Sequence, residues 1–379
     1  MSGCCFEFHV APLQGYTHQP FRTLTNLLAP SAIKWTEMEK VADLQPMVAA
    51  SLRKRLEGSE DDGNNLVLQL GSNNAKDLGQ CAGIAAELYP NLHEINLNCG
   101  CPSISSGGAT GYGASLMKDP DLTAGLVASM RSSTNGDISV KTRIAVFDNP
   151  EDLRPLDDRD YRYLVNYVSS ISEAGAAHVI LHARPAVLSG LSPVNNRIVP
   201  QLDYEFVHQI ARDFDGRVKI TLNGGLNSLA ALDAARNNQG QISSYMSGRF
   251  CIRRPLDLLN VEQSMMSSNR IDVHSALSNY LSYALARRDK QQFTLAELCL
   301  PLYLVSEQLR EDYEENEPVQ LSWEDIELLH DLLQEGLVEL SNGKVKPNAS
   351  INFKKLTSSF KPVVGTKVVN KWRRNRAEL

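Results

Sequence analysis

At 379 residues the chain is long enough for one large hydrophobic core plus a smaller domain. Its 42% hydrophobic and 22% charged residues are ordinary for a soluble globular protein, and no apolar run reaches membrane-spanning length, so no membrane partner is expected. The net charge of −6 argues against a nucleic acid covering the whole surface. Residues 351–379 nevertheless carry Lys354, Lys355, Lys361, Lys367, Lys371, Arg373, Arg374 and Arg376 against Glu378 alone, which is +7 for that stretch and −13 for the rest. A basic end on an acidic body points to a localised polyanion-binding face, and Phe353, Phe360 and Trp372 among the charges favour a docked segment over a solvated tail.

The seven cysteines (Cys4, Cys5, Cys81, Cys99, Cys101, Cys251 and Cys299) are odd in number and lack paired CxxC spacing. Neither a disulfide framework nor a structural metal is expected, and a reducing compartment fits best. Residues 1–10 have no signal-peptide pattern, which makes the cytoplasm the expected location. A monomer is the expected state.

Along the chain, eight apolar or β-branched runs predict strands: Phe6–Leu13, Ile33–Met38, Leu66–Leu70, Glu94–Asn98, Ile138–Ile144, His178–His182, Val218–Leu222 and Ile242–Met246. Amphipathic stretches between them, such as Ala75–Tyr89, Leu122–Ser132, Tyr161–Ala174 and Tyr204–Phe214, predict helices. Eight βα units in about 250 residues match a (β/α)8 TIM barrel. A doubly wound sheet is the competitor, but no GxGxxG follows any strand. The segment Asp148–Asp160, with Pro150 and Pro155, reads as a mobile loop over the barrel mouth.

Pro255 marks the boundary, giving a barrel over 1–253 and a helical domain over 254–379. The expected helices are Asp257–Ser268, Ser275–Arg288, Thr294–Tyr313 and Trp323–Glu335. Ser322 with Asp325 makes a capping-box pattern, and Gly336 is the expected C-terminal stop of the last helix.

In such a barrel the C-terminal strand ends converge on one mouth. They read Ala11-Pro12-Leu13, Thr36-Glu37-Met38, Gln69, Asn98 with Cys101, Lys141 with Arg143, His182 with Arg184, Asn223-Gly224-Gly225, and Gly248-Arg249. So many polar ends exceed what a structural rim needs, since each buried polar group left unpaired costs about 1–3 kcal/mol. Gly224-Gly225 and Gly248 permit close backbone approach to a phosphate after the late strands, with Arg249 as a bidentate partner. Lys141 needs an anion or an electron-rich carbonyl, and Gln69 and Asn98 offer donor–acceptor pairs for a flat heterocycle. Lys141 paired with Glu37, and His182 as a satisfied core residue, stay open alternatives. Taken together the set points to flavin mononucleotide. In Asn98-Cys99-Gly100-Cys101-Pro102 the glycine and proline would hold the Cys101 thiol rigidly at a strand tip, although two small buried hydrophobes or a metal pair would read the same way.

These residues resemble the tRNA-dihydrouridine synthases over roughly 8–260. The likeness is carried by Ala11-Pro12 with Thr17 and Arg22, Thr36-Glu37-Met38, Leu68-Gln69-Leu70-Gly71, the Asn98–Pro102 motif, Gly113-Ala114-Ser115-Leu116-Met117 and Lys141 with Arg143. It continues through His182-Ala183-Arg184, Leu188–Pro193, Asn196-Arg197, Pro200 with Leu202-Asp203-Tyr204, Asn223-Gly224-Gly225 and Met246 with Gly248-Arg249. The Leu188–Tyr204 stretch is similar to the A-type branch, which acts on positions 20 and 20a of the D-loop.

The resemblance implies FMN held by Pro12, Leu13, Gln69, Lys141, His182 and Asn223, with its phosphate on Gly224, Gly225, Gly248 and Arg249, and NADPH as reductant. It implies that Asn98, Arg143 and Arg184 meet the uridine and that Cys101 is the proton donor; the basic stretch beyond the resemblance adds Lys367, Lys371, Arg373 and Arg374 as expected tRNA contacts. A thiol of ordinary pKa, about 8.5, is protonated at neutral pH and needs no tuning for that task. The chain departs from the family at Ser115, where a second cysteine is common, at His18 in place of the Asp after Thr17, at Pro185, and in the Gly/Ser-rich Ile104–Thr110. A flavin barrel that reduces a small pyrimidine, and an RNA-binding protein without chemistry, are the competing readings.

Overall fold

The computed structural model describes residues 6–58, 62–103, 111–237, 241–266, 270–315, 321–347 and 350–370. Ten strands occur among them. Eight form one all-parallel sheet: β1 (Glu7–Val10), β2 (Lys34–Lys40), β3 (Leu66–Gly71), β4 (Glu94–Cys99), β5 (Ile138–Arg143), β7 (His178–His182), β9 (Lys219–Asn223) and β10 (Ser244–Ser247). The order around the sheet is β1-β10-β9-β7-β5-β4-β3-β2. The two ends meet, because Val10 N–H donates to the Ile33 carbonyl at 2.9 Å and Ile33 N–H to the Phe8 carbonyl at 2.8 Å. The sheet is therefore a closed (β/α)8 barrel. β3 (LVLQLG) and β4 (EINLNC) are buried at every position, as strands covered on both faces must be.

Helices between the strands start where side chains satisfy their first free N–H groups. Asn74 caps Ala75–Leu88, Asp119 caps Pro120–Ser133, and Asp203 caps Tyr204–Asp213. The second of these begins before the expected Leu122, because proline fits the first turn of a helix. The helix Asp158–Glu173 likewise begins earlier than expected, on a reciprocal Asp157/Asp160 capping box. The expected first strand, Phe6–Leu13, shrinks to Glu7–Val10; Pro12 has no N–H to give to a ladder. A parallel ribbon of β6 (Val146–Phe147) on β8 (Ala186–Val187) continues beyond β5 and β7 and was not foreseen. The segment expected as a loop over 148–160 is anchored locally, by Lys118 Nζ to Asp148 Oδ1 at 2.7 Å and by a capping box between Asn149 and Asp152.

The chain divides into two compact units. One comprises residues up to 13 with 33–247 and contains the barrel; the other comprises 14–32 with 248 onward. The second therefore begins at Gly248, a few residues before the expected boundary, and includes the helix Gln19–Leu28. That helix buries Phe21, Leu24 and Leu28, and Glu262 receives both the Ser31 N–H (3.0 Å) and its hydroxyl (2.7 Å). Within this unit Arg254 bridges Asp257 (2.8 Å) and Asp312 (2.7 Å).

The capping box of Ser322 and Asp325 forms as the sequence implies. Gly336 does not stop that helix, which runs on from Trp323 to Leu340. A Cβ at Gly336 would strike the Leu281 side chain of the helix Val273–Asp289, so the glycine serves close helix approach. The stop lies at Ser341, followed by Asn342 (φ 52°) and Gly343 (φ 72°) in the left-handed region. The first part of the basic stretch is the helix Phe353–Val364, which buries Phe353, Leu356, Thr357 and Phe360 while Lys354 and Lys355 stay exposed. No helix among the described residues is long and apolar enough to cross a membrane.

Candidate active site

The loop after β4 is held from three sides. Asn98 Oδ1 accepts the backbone N–H groups of Gly100 (3.2 Å) and Cys101 (3.1 Å). The Cys101 carbonyl accepts the Ala114 N–H at 2.9 Å, and Gly113 (φ 72°) allows that approach, since a Cβ there would lie 2.5 Å from the same oxygen. Arg143 Nε donates to the Gly100 carbonyl at 3.1 Å. The two cysteines consequently differ. Cys99 is fully buried, and burial pushes its thiol up to about 12, so it is an inert core residue. Cys101 is only half-buried.

Gln69 and Asn98 sit beside this loop as expected, but largely bound to each other. Asn98 Nδ2 donates to Gln69 Oε1 at 2.8 Å, and Gln69 Nε2 donates to Asn96 Oδ1 at 2.9 Å. Arg143, expected at the uridine, is 4% exposed and engages protein carbonyls: Gly100 through Nε, Pro185 (3.1 Å) and Asn196 (3.2 Å) through one terminal nitrogen. Burial lowers its pKa to about 9. Its immediate effect is to fasten three loops of the mouth together.

Lys141 stands opposite Asn98 in the register of β4 and β5. Its Nζ donates to Asn223 Oδ1 at 3.0 Å, and among the described residues no carboxylate pairs with it, so the alternative pair with Glu37 is not formed. Asn223 is itself fixed by donating from Nδ2 to the Met246 carbonyl at 2.8 Å. Desolvation, with Arg143 as a neighbouring like charge, lowers the Lys141 pKa to about 7, while Cys101 acts to raise it. An enclosed ammonium without a counter-charge is a waiting anion site.

His182 ends β7 with its ring against Gly224: a Cβ there would fall 2.5 Å from the imidazole Cδ2. Gly224 (φ 103°) and Gly225 (φ 71°) adopt backbone that other residues rarely accept. Arg184 donates to the Pro200 carbonyl, and its buried Nε has no partner among the described residues. Pro12 and Leu13 follow β1 at its C-terminal end and are half-buried. Gly248 and Arg249 open the other unit, at the start of the short helix Arg249–Arg253. Lys367 is exposed near the end of the described chain; Lys371, Arg373 and Arg374 lie outside the described residues.

Sequence reading missed several neighbours. Tyr112 has its pKa raised by burial, then by Asp43 and Cys101, which places its phenol within electrostatic reach of the thiol. Asn196, though noted as part of a motif, carries a clamp: its side chain takes the Val187 N–H at 2.7 Å and returns Nδ2–H to the Val187 carbonyl at 2.9 Å. Tyr204, likewise noted only as part of a motif, donates its hydroxyl to the Gly224 carbonyl at 2.8 Å. None of these has a signal in composition or periodicity; only the pairing of distant loops reveals them.

Comparison with known proteins decides the family. Residues 9–291 match the family model described as Dihydrouridine synthase (Dus). The chain belongs to the dihydrouridine synthase family. Among relatives named tRNA-dihydrouridine(20/20a) synthase, it is 36% identical to that of Xanthomonas axonopodis pv. citri over 72% of this chain and 76% of the relative. It is 34% identical to that of Vibrio parahaemolyticus (73% and 81%) and 32% identical to that of Shewanella oneidensis (69% and 72%). The likeness to the 20/20a branch agrees with the resemblance seen in Leu188–Tyr204. Membership makes this dihydrouridine synthase an oxidoreductase, and it gives the polar mouth of the barrel a chemical context.

Proposed function

We propose that this dihydrouridine synthase reduces uridine at position 20 or 20a of the tRNA D-loop, with FMN at the barrel mouth, NADPH as reductant and Cys101 as proton donor. The observation that carries the proposal is the half-buried Cys101 thiol held beside an enclosed Lys141 ammonium that lacks a carboxylate. These residues fit a flavin. Lys141 would meet the electron-rich pyrimidine edge of the ring, and His182 and Pro12 with Leu13 would line it. The Gly224-Gly225 backbone would approach the phosphate where any Cβ is blocked by His182, Leu202 or Tyr204.

Bound FMN supplies the hydride that forms the new C–H bond at C6 of the uracil. The protein's own part is the proton. Cys101 gives its S–H proton to C5 as the C5=C6 double bond is consumed, and the thiolate recovers a proton from solvent. Asn98 and Arg143 fix the loop that carries the sulfur, and Arg184 offers its unpartnered Nε to the base or an adjoining phosphate. The target base has to leave its stack to reach such a recessed mouth. Exposed Lys354, Lys355 and Lys367, with the basic residues that follow, are proposed to contact the tRNA backbone. A cytoplasmic monomer is part of the same proposal.

The test is mass-spectrometric mapping of dihydrouridine in unmodified tRNA incubated with the purified protein and NADPH. Product at position 20 or 20a supports the proposal. Reduction of free uracil without tRNA, or a colourless protein that makes no dihydrouridine, overturns it.

A further inference from the structure

One layer of the barrel below the mouth is polar where branched apolar layers are usual, although Val67, Ile180 and Met246 keep an apolar cluster with Trp35. On β3, β4, β5 and β7 the register sets Gln69, Asn96, Ser139 and His178 side by side. Asn96 and Ser139 are fully buried, and nothing in the chemistry above uses them. Three of these side chains continue the contacts of the Cys101 loop: Asn98 Nδ2 donates to Gln69, Gln69 Nε2 to Asn96 Oδ1, and Asn96 Nδ2 to Ser139 Oγ at 2.9 Å.

The direction of this chain is fixed at its upper end. Backbone N–H groups can only donate, so the Asn98 oxygen must face Gly100 and Cys101, and its NH2 must face Gln69. Each amide below then has one permitted orientation, and the last NH2 needs an acceptor, which the Ser139 hydroxyl provides. On the neighbouring floor, Glu94 pairs with His178 at 2.8 Å, which holds its pKa down to about 2 against the effect of burial. Turning any amide over would set N–H against N–H in a buried site, at a cost of about 1–3 kcal/mol per unmet group.

We propose that Asn96 and Ser139 are positioning residues that aim the Cys101 thiol, acting through the fixed orientation of the Gln69 and Asn98 amides. Their importance for turnover rests on the reading of Cys101 as proton donor; their control of the loop does not.

The test uses the full chain with Ser139→Ala, its conservative counterpart Ser139→Thr, and Asn96→Leu. Iodoacetamide labelling of Cys101, followed by peptide mass spectrometry, reads the loop without requiring activity. Single-turnover oxidation of the reduced enzyme by tRNA reads the proton-donor step, and NADPH-driven flavin reduction reads a step without the thiol. In Ser139→Ala the Cys101 labelling rate should rise about fivefold as the loop loosens. The tRNA step should slow by about tenfold or more, with flavin reduction within about twofold of the parent and Ser139→Thr restoring both readings. A folded Ser139→Ala protein whose labelling and tRNA step both match the parent overturns the proposal, as does failure of Ser139→Thr to restore them. Should Asn96→Leu fail to fold, Ser139→Ala, which removes one oxygen, carries the test alone. If the parent itself makes no dihydrouridine, the function reading fails while the labelling result still judges the aiming of Cys101.

Discussion

The two ends of the barrel interior treat polar residues in opposite ways. At the floor, where the strands begin, ionisable groups pair with one another, although Glu94 Oε2 is buried without a partner among the described residues. Trp35 Nε1 can only donate, so His9 accepts at Nδ1 (3.1 Å) and carries its proton on Nε2, facing Glu7 Oε2 at 3.2 Å. Lys219 pairs with the same carboxylate, while His178 joins Glu94 (2.8 Å) to Thr221 (2.6 Å). At the mouth, Lys141 has an amide partner but no carboxylate, and Arg184 keeps a buried donor unmet among the described residues. Opposite charges paired at one end and cationic side chains without a carboxylate at the other separate what holds the barrel together from what waits for a ligand.

The largest effect should come from Cys101→Ala. Turnover on tRNA should drop by about 10²–10⁴, the usual worth of a positioned acid, while the flavin spectrum persists. Normal dihydrouridine formation in that variant would remove the sulfur from the chemistry.

At the floor, Glu94→Ala should lower stability by about 3 kcal/mol, because it strands the buried His178, and should shift the urea midpoint far more than flavin retention. A variant with an unchanged midpoint would erase the contrast between the two ends. Lys141→Ala is the converse case. It should weaken flavin retention by about 10–100-fold, the scale of one charged hydrogen bond, with little change in the midpoint.

pH sharpens the contrast further. Lys141 titrates near 7 without an anion, and pairing with one would raise that value. Affinity for the anion is then full below pH 7 and falls by up to about tenfold per pH unit above it, a slope that Lys141→Ala should abolish. At the floor, burial lowers the His9 pKa to about 4, against an ordinary value near 6.5. Between these values the unfolded chain takes up a proton that the fold refuses, so stability declines as pH falls from 6.5 toward 4. Urea titrations across that range check it, and a flat profile would contradict a neutral His9.

Much of the barrel was legible before any coordinates, since eight apolar runs at βα spacing leave few ways to bury every strand on both faces. Lys141, Cys101 and Gly224-Gly225 stood out because their residue types are costly or unusual at a strand end. The missed parts have a common cause. Gly336 carries a stop signal locally but meets Leu281 from another helix. The helix Gln19–Leu28 lies between two barrel strands in sequence yet packs with the C-terminal unit. Asn196, Tyr112 and Ser139 are ordinary residues until distant loops or strands meet them.

The sequence alone determined the parallel βα architecture, the family motifs and the chemical type of each strand end, because those follow from period, hydrophobicity and functional groups. Tertiary structure decided the rest. The barrel's register chose which amide faces which donor, and burial divided Cys99 from Cys101 although one residue separates them. Hydrogen-bond direction and desolvation are properties of neighbours across strands, and these come together only when the sheet closes.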